Sequence, residues 1–136
     1  MAVKFRDNSA QVKGILNDAA ISYLYEAGGE LESQVKRNSR VGKGDTKNAW
    51  TYTVDESKGV TTVGNPLENA IWEEFGTGEY ALHGDGRKGG WHYKDEEGKW
   101  HHTFGKTPHR AFQQAFNSLK NALIRRAEEV LKARFK

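Results

Sequence analysis

Several residue types that carry protein chemistry are missing from this chain or scarce in it. Its 136 residues include no cysteine, which excludes disulfides, thiolate catalysis and cysteine-based zinc sites. No apolar run approaches the roughly 20 residues that a membrane-spanning helix needs. The first ten residues also lack the apolar segment of a secretory signal. We therefore expect no membrane partner and a protein that is made in a cytoplasm.

A large excess of one charge sign is lacking as well. The chain has 21 basic and 18 acidic residues, a formal net charge of +3, and both signs are interleaved along the sequence. Such a thin basic excess allows at most a weak contact with passing DNA. Hydrophobic residues make up 36% of the chain, which suffices for one modest core. These values predict a single domain over residues 1–136.

The first long periodic segment covers roughly residues 6–38. Its apolar residues follow steps of three and four, which is the pattern of one helix face: Val12, Leu16, Ala19, Tyr23, Ala27, Leu31 and Val35. Three side chains suited to capping precede it: Asp7, Asn8 and Ser9. Gly28 and Gly29 each cost about 1 kcal/mol against alanine inside a helix. We expect the helix to kink or break at this pair.

The second long periodic segment covers residues 108–135 and also predicts a helix. Pro108 suits a first helical turn. The apolar stripe includes Phe116 and Leu123 near its middle. We expect both residues to belong to one core, in which the two long helices pack together over a small sheet.

The middle of the chain alternates between strand and helix patterns. Residues 50–64 and 91–104 alternate with a period of two and predict two hairpins. Residues 67–75 predict a short helix that ends before Gly76. The glycine-bearing segments 40–47 and 77–90 predict loops, the second of them long and mobile. The fold class is α+β, with a small antiparallel sheet of two hairpins, two long helices and a short central helix.

No group of residues in the sequence predicts a catalytic or metal site. The five histidines lack the compact spacings that zinc ligands usually have: His83, His92, His101, His102 and His109. The adjacent His101 and His102 point to opposite faces of a strand. The glycine-rich segment does not fit a phosphate-binding motif. We expect no enzyme, no cofactor and no metal.

The second predicted hairpin interleaves aromatic residues with cations. The aromatic residues are Trp91, Tyr93, Trp100 and Phe104, and the cations are Arg87, Lys88, Lys94 and Lys99. Aromatic rings beside cations on strands suit a platform for stacking single-stranded nucleic acid. The same pattern arises when the rings form the packed face of a hairpin. A hairpin of this kind is also a candidate for contact with a protein partner.

Two segments resemble the signature of a known protein family. The segment N-A-I-W-E-E-F-G-T-G at residues 69–78 resembles the "Y-A-x-Y-V-E-F-G-T-G" motif of the head–tail joining proteins of long-tailed bacteriophages. The segment P-H-R-A-F-Q-Q-A at residues 108–115 is similar to that family's "P-R-P-F-L-R-P-A" entry into a final helix. Asn69 replaces the first aromatic residue of the motif, and the second proline of the later segment is absent. The corresponding motif and interface residues of this chain are Trp72, Glu74, Phe75, Gly76, Thr77, Gly78, Pro108 and Phe112.

The resemblance implies a structural virion protein of the phage neck or tail-completion region, also called a minor capsid protein. Such a subunit would form a ring, on this analogy a hexamer in the virion, between head-closure or adaptor proteins and the tail tube or tail terminator. The purified subunit could remain a monomer. The alternative is a small basic protein that binds nucleic acid or cleaves RNA as a toxin does, with histidine, arginine or lysine as acid, base and phosphate clamp.

Overall fold

The computed structural model describes residues 9–40 and 44–134. Four helices and four strands follow in the order α1 (Ser9–Asn38), α2 (Asp45–Asn48), β1 (Thr51–Asp55), β2 (Val60–Gly64), α3 (Glu68–Phe75), β3 (Trp91–Lys94), β4 (Trp100–Thr103) and α4 (Ala111–Ala133). The α+β class is confirmed. The predicted cap residues Asp7 and Asn8 lie outside the described residues. No described helix is long and apolar enough to cross a membrane.

The two hairpins form two separate antiparallel sheets of two strands each. In the first, Tyr52 pairs with Val63 and Val54 pairs with Thr61. In the second, His92 pairs with His102. The first hairpin packs against α1, whereas neither hairpin packs along α4 in the described part of the chain. The predicted arrangement is confirmed, and its sheet consists of two separate two-stranded parts, of which the first lies on α1.

The two long helices run antiparallel and in contact along their length. The Asn38 side chain donates to the Ala111 carbonyl oxygen at one end, over 3.2 Å. Farther along, the Tyr23 hydroxyl donates to the Leu123 carbonyl oxygen. Arg126 of α4 forms an ion pair with Glu26 of α1 at 3.1 Å. These contacts fix the register of α4 on α1.

The core of the described residues is small. Six hydrophobic residues are buried, and four of them are alanines: Ala19, Val35, Trp50, Ala70, Ala111 and Ala115. Trp50 stacks on Phe112 with ring centroids 5.8 Å apart, so it ties the start of β1 to α4. Phe116 is 43% exposed, which corrects its predicted place in the core. Because α4 has α1 and α3 beside it but no sheet, part of its apolar stripe stays open.

Helix α1 continues through Gly28 and Gly29, so the predicted break is wrong. A Cβ atom at Gly28 would lie 2.4 Å from Cδ2 of Tyr52, which leaves no space for a side chain. Glycine therefore allows the first hairpin to lie directly on α1. The packing of Tyr52 against the helix outweighs the local cost of about 1 kcal/mol for a glycine.

The two glycines provide a matched pair of substitutions. Gly28→Ala should lower the free energy of unfolding by about 1–3 kcal/mol, since the new methyl group overpacks Tyr52. Gly29→Ala should raise it by up to about 1 kcal/mol through helix propensity, because its Cβ would lie 3.9 Å from the nearest ring atom. Urea denaturation measures both. Equal effects of the two substitutions would contradict the close contact at Gly28.

Candidate functional site

The two segments that resemble the phage signature meet in space at the end of α3 and the start of α4. We call residues 73–79 together with residues 104–113 the α3–α4 joint. Its central residue is Glu74, the one charged residue among the described ones that is buried, with 8% of its surface exposed. A buried carboxylate is costly unless hydrogen bonds satisfy it. The joint supplies these bonds from the backbone of α4.

Glu74 caps helix α4 from a distant part of the chain. Its Oε1 accepts the Gln113 N–H at 2.8 Å, and its Oε2 accepts the Phe112 N–H at 3.2 Å. These N–H groups belong to the first turn of α4, where no partner exists inside the helix. The negative charge also faces the positive end of the helix dipole. Arg110, at the N-cap position, makes no side-chain cap. Glu74 therefore takes the role that a neighbouring serine or aspartate usually has.

Arg110 adopts a left-handed conformation, with φ of 60°, which is unusual for a residue with a side chain. Its guanidinium lies 5.1 Å from the ring centroid of Phe75. The same group donates to the Glu74 carbonyl oxygen at 3.4 Å. These contacts with the end of α3 offset the backbone strain and turn the chain into α4.

The glycines of the joint allow two chain segments to approach closely. Gly76 ends α3 with φ of 75°, as the sequence predicts. A Cβ atom at Gly78 would lie 2.2 Å from the Phe104 carbonyl oxygen. The Thr77 N–H donates to the Lys106 carbonyl oxygen, and the Lys106 N–H donates to the Thr77 hydroxyl, each at 2.9 Å. The signature residues from Glu74 to Gly78 thus hold α3 against the segment that enters α4.

The predicted mobile loop at residues 77–90 is anchored at its beginning. Residues Gly78–Tyr80 form a short 3-10 turn. The Glu79 N–H donates to the Phe104 carbonyl oxygen at 2.9 Å, and the Leu82 N–H donates to the Phe75 carbonyl oxygen at 2.8 Å. The later part is also held, because the Gly89 N–H donates to Glu79 Oε1 at 3.3 Å and a Cβ atom at Gly86 would lie 2.1 Å from the Gly78 carbonyl oxygen. The mobility of the loop stays a prediction, and Gly84, with open space around its Cβ position, is where it applies best.

Two signature residues, Trp72 and Phe75, expose a large part of their side chains on the surface of α3. Trp72 is 45% exposed and Phe75 is 39% exposed, and they share one helix face with Ile71, which is 60% exposed. These three residues and Trp91 line an open groove of about 470 Å³. Asp85 and Arg87 also line it. We call this surface the α3 groove.

The aromatic residues of the second hairpin do not form one platform. Tyr93 lies across from His101, with ring centroids 5.2 Å apart, and Trp91 projects on that same face. Trp100 is on the other face, where the Lys94 ammonium lies 5.9 Å from its ring centroid. Phe104 shares that second face and packs edge-on against His102 at 4.8 Å. A stacking surface for single-stranded nucleic acid needs its rings on one face, so this arrangement disfavours that reading.

The histidines that a nuclease would use have structural partners. His101 Nε2 lies 2.7 Å from Asp95 Oδ2 in the second hairpin. His109 Nε2 lies 2.7 Å from the Asn38 carbonyl oxygen and joins α1 to the joint. Among the described residues, no group of three or more histidine, aspartate or glutamate side chains is placed to hold a metal ion.

The turn of the second hairpin lowers the pKa of Asp95. The main cause is the hydrogen bond from His101, and the backbone N–H groups of Lys99 and Glu97 add to it. A lowered carboxyl pKa means that the stabilisation is present above the unfolded-state pKa. It is lost as the pH falls through the folded-state value.

This effect has a direct test by NMR titration. In His101→Phe, which keeps an aromatic ring against Tyr93 but removes the donor, the pKa of Asp95 should rise toward its ordinary value. Asp55 serves as the control because the Ser57 hydroxyl and the Lys58 N–H lower its pKa independently in the first hairpin. An unchanged pKa of Asp95 would show that His101 does not bond to it.

Sequence reasoning missed the cap by Glu74 and the left-handed Arg110. One signal was present: residues 108–110, directly before α4, include no serine, threonine, aspartate or asparagine. A strong helix without a local cap needs a partner from elsewhere in the chain.

Comparisons with known protein families, with characterised proteins and with solved structures find no match to this chain.

Proposed function

We propose that this chain is a structural subunit of the neck or tail-completion region of a long-tailed bacteriophage. It acts by packing into a ring between the head-closure proteins and the tail tube, and it carries out no chemical reaction. In this proposal the protein is made in the cytoplasm of the bacterial host and remains in the virion. The six-fold ring follows from the family resemblance alone.

The observation that carries the proposal is the contact between the two signature segments. Gly78 and Pro108 are 30 positions apart in the sequence, yet residues 69–78 and 108–115 meet at the α3–α4 joint. If residues 69–78 and residues 108–115 resembled the family by chance, there would be no reason for them to be hydrogen-bonded to each other. Each of the glycines Gly76 and Gly78 and the acid Glu74 has a defined structural role there. The contact between the two segments supports the proposal that they belong to one structural unit of this family.

The distribution of apolar residues also supports a subunit that functions in contact with partners. Among the described residues, sixteen large hydrophobic side chains are exposed, against six buried hydrophobic residues of which four are alanine. Single exposed apolar residues are common on monomers, whereas contiguous patches mark interaction surfaces. The α3 groove is such a patch. Neighbouring subunits in a ring would cover it.

The test is deletion of the gene from the phage or prophage that carries it. We expect DNA-filled heads and separate tails, because the junction between them would be incomplete. A copy of the gene supplied from a plasmid should restore joined particles. Infectious particles after the deletion would overturn the proposal.

The alternative of an RNA-cleaving protein has its own measurement. We expect the purified protein to leave RNA and DNA intact, with or without divalent metal ions, because His101 and His109 are engaged in structural bonds. Cleavage that disappears in His101→Ala or His109→Ala would favour the hypothesis of an RNA-cleaving toxin over that of a structural virion subunit.

A further inference from the structure

We propose that His92 and His102 of the second hairpin bind one transition-metal ion between them, with copper(II) and nickel(II) as the preferred ions. The proposal is independent of the phage role. The sequence predicts no metal here, because the two histidines are ten positions apart and do not have the compact spacing of a zinc motif. Only the pairing of β3 with β4 brings them together.

The two imidazole rings lie side by side on one face of the hairpin. His92 of β3 is directly opposite His102 of β4 in the antiparallel ladder. Directly opposed residues point to the same face, and their side chains come into contact. The two ring centroids are 4.6 Å apart, and the ring planes are inclined by 57°.

This separation of the rings fits a single shared ion. A metal–nitrogen bond of about 2.1 Å, with the ring nitrogen facing the ion, places the ion roughly 3.2 Å from the ring centroid. Two centroids at that distance are about 4.5 Å apart when the two bonds meet at a right angle. A tetrahedral angle, as zinc prefers, needs about 5.2 Å. The observed 4.6 Å is close to the right angle of tetragonal copper(II) and nickel(II) sites.

Both histidines of the pair are available as ligands. His92 and His102 are exposed, and neither makes a hydrogen bond or an ion pair among the described residues. The neighbouring His101 lies on the other face, where it bonds to Asp95. Phe104 packs edge-on against His102 with ring centroids 4.8 Å apart, which limits the movement of that imidazole. The other coordination positions of the ion would face solvent and bind water.

The charges on this face of the hairpin also affect the choice of ion. Lys94 lies two positions after His92 and therefore on the same face. Its ammonium lies over the Trp100 ring, 5.9 Å from the centroid, next to the turn of the hairpin. One exposed charge changes a nearby interaction only modestly. Because the pair supplies nitrogen and no carboxylate oxygen, it suits transition metals and does not suit calcium or magnesium.

Isothermal titration calorimetry of the whole chain with copper(II), nickel(II) or manganese(II) chloride tests the site. One ion per chain should bind, most tightly for copper and most weakly for manganese. His92→Phe and His102→Phe each keep an aromatic ring but remove one ligand, so each should weaken binding at least about ten-fold. The matched control is His83→Phe, since His83 is also exposed and contacts the Phe75 ring. It should leave the affinity unchanged.

Hydrogen exchange locates the ion in the wild-type chain, without any substitution. Nickel(II) at about 100 times its dissociation constant should slow amide exchange in β3 and β4 more than ten-fold, because the ion binds only the paired strands. Exchange in β1 and β2 should not change. In His92→Phe, the same nickel concentration should have no such effect on β3 and β4.

Three results would overturn the inference. They are full affinity in both His92→Phe and His102→Phe, an equal loss of affinity in His83→Phe, and no slowing of exchange in β3 and β4 of the wild type. Each would mean that the ion is held by single surface histidines or elsewhere in the chain. The gene deletion tests the phage role separately, so neither proposal depends on the result for the other.

Discussion

Gly78→Ala is expected to lower the free energy of unfolding by about 2–5 kcal/mol, the sum of left-handed backbone strain and overpacking. Gly78 has φ of 61°, and a Cβ atom there would lie 2.2 Å from the Phe104 carbonyl oxygen and 2.8 Å from the Trp91 ring. The segment that enters α4 would have to move away from α3. Thermal and urea denaturation measure the loss.

Gly84→Ala is the matched control in the same loop. Its φ of 70° is close to that of Gly78, but nothing lies within 4 Å of its Cβ position. It should cost only the backbone strain of about 1–2 kcal/mol. If the two variants have the same stability, the close approach of Gly78 to Phe104 does not exist in solution.

Glu74→Ala is expected to cost about 2–3 kcal/mol, since it removes a charged acceptor from two N–H groups at a helix end. The Phe112 and Gln113 N–H groups would then lack their partner. Glu74→Gln should fall between the wild type and the alanine variant, because one amide oxygen still accepts a bond. Denaturation in urea gives the free energies, and hydrogen exchange at the first turn of α4 reports the cap itself.

Glu68→Ala is the control for Glu74→Ala because it removes a carboxylate from the exposed start of the same helix. Its cost should be less than about 1 kcal/mol, the typical value of a helix-dipole interaction. A Glu74→Ala variant as stable as Glu68→Ala, with unchanged exchange at Gln113, would mean that α4 does not depend on this cap.

The elements that depend on local patterns were predictable from the sequence. The alternation around Tyr52 and around His92 predicts the two hairpins, and Gly76 marks the end of α3. The stripe of α4 predicts its length within a few residues. These features are encoded by residues next to each other in the chain, so periodicity and capping rules identify them.

The features that depend on distant contacts were not predictable in this way. Gly28 and Gly29 predict a break by local propensity, yet the packing of Tyr52 keeps α1 continuous. The cap of α4 comes from Glu74, more than thirty positions upstream. Phe116 looks like a core residue on its stripe, but no sheet covers it. Tertiary packing determines the continuity of α1, the cap of α4 and the exposure of Phe116. The periodicity of the sequence contains no information about contacts between distant segments.

The candidate site also combines features that were predictable from the sequence with features that depend on distant contacts. The sequence identifies the signature from Trp72 to Gly78 through its resemblance, but not which of these residues are structural and which face outward. The structure places Glu74, Gly76 and Gly78 inside the joint and leaves Trp72 and Phe75 on the surface. The outward pair, together with Ile71, forms the exposed apolar surface that we propose to meet a partner.

A reconstruction of the neck of the intact phage particle by electron cryomicroscopy tests the central claim most directly. The account predicts a closed ring of copies of this chain between the head-closure proteins and the tail tube. In that ring, a neighbouring protein should cover the exposed side chains of Ile71, Trp72 and Phe75 in each copy. A neck whose density is fully explained by other proteins, in infectious particles that contain no copy of this chain by mass spectrometry, would contradict the account.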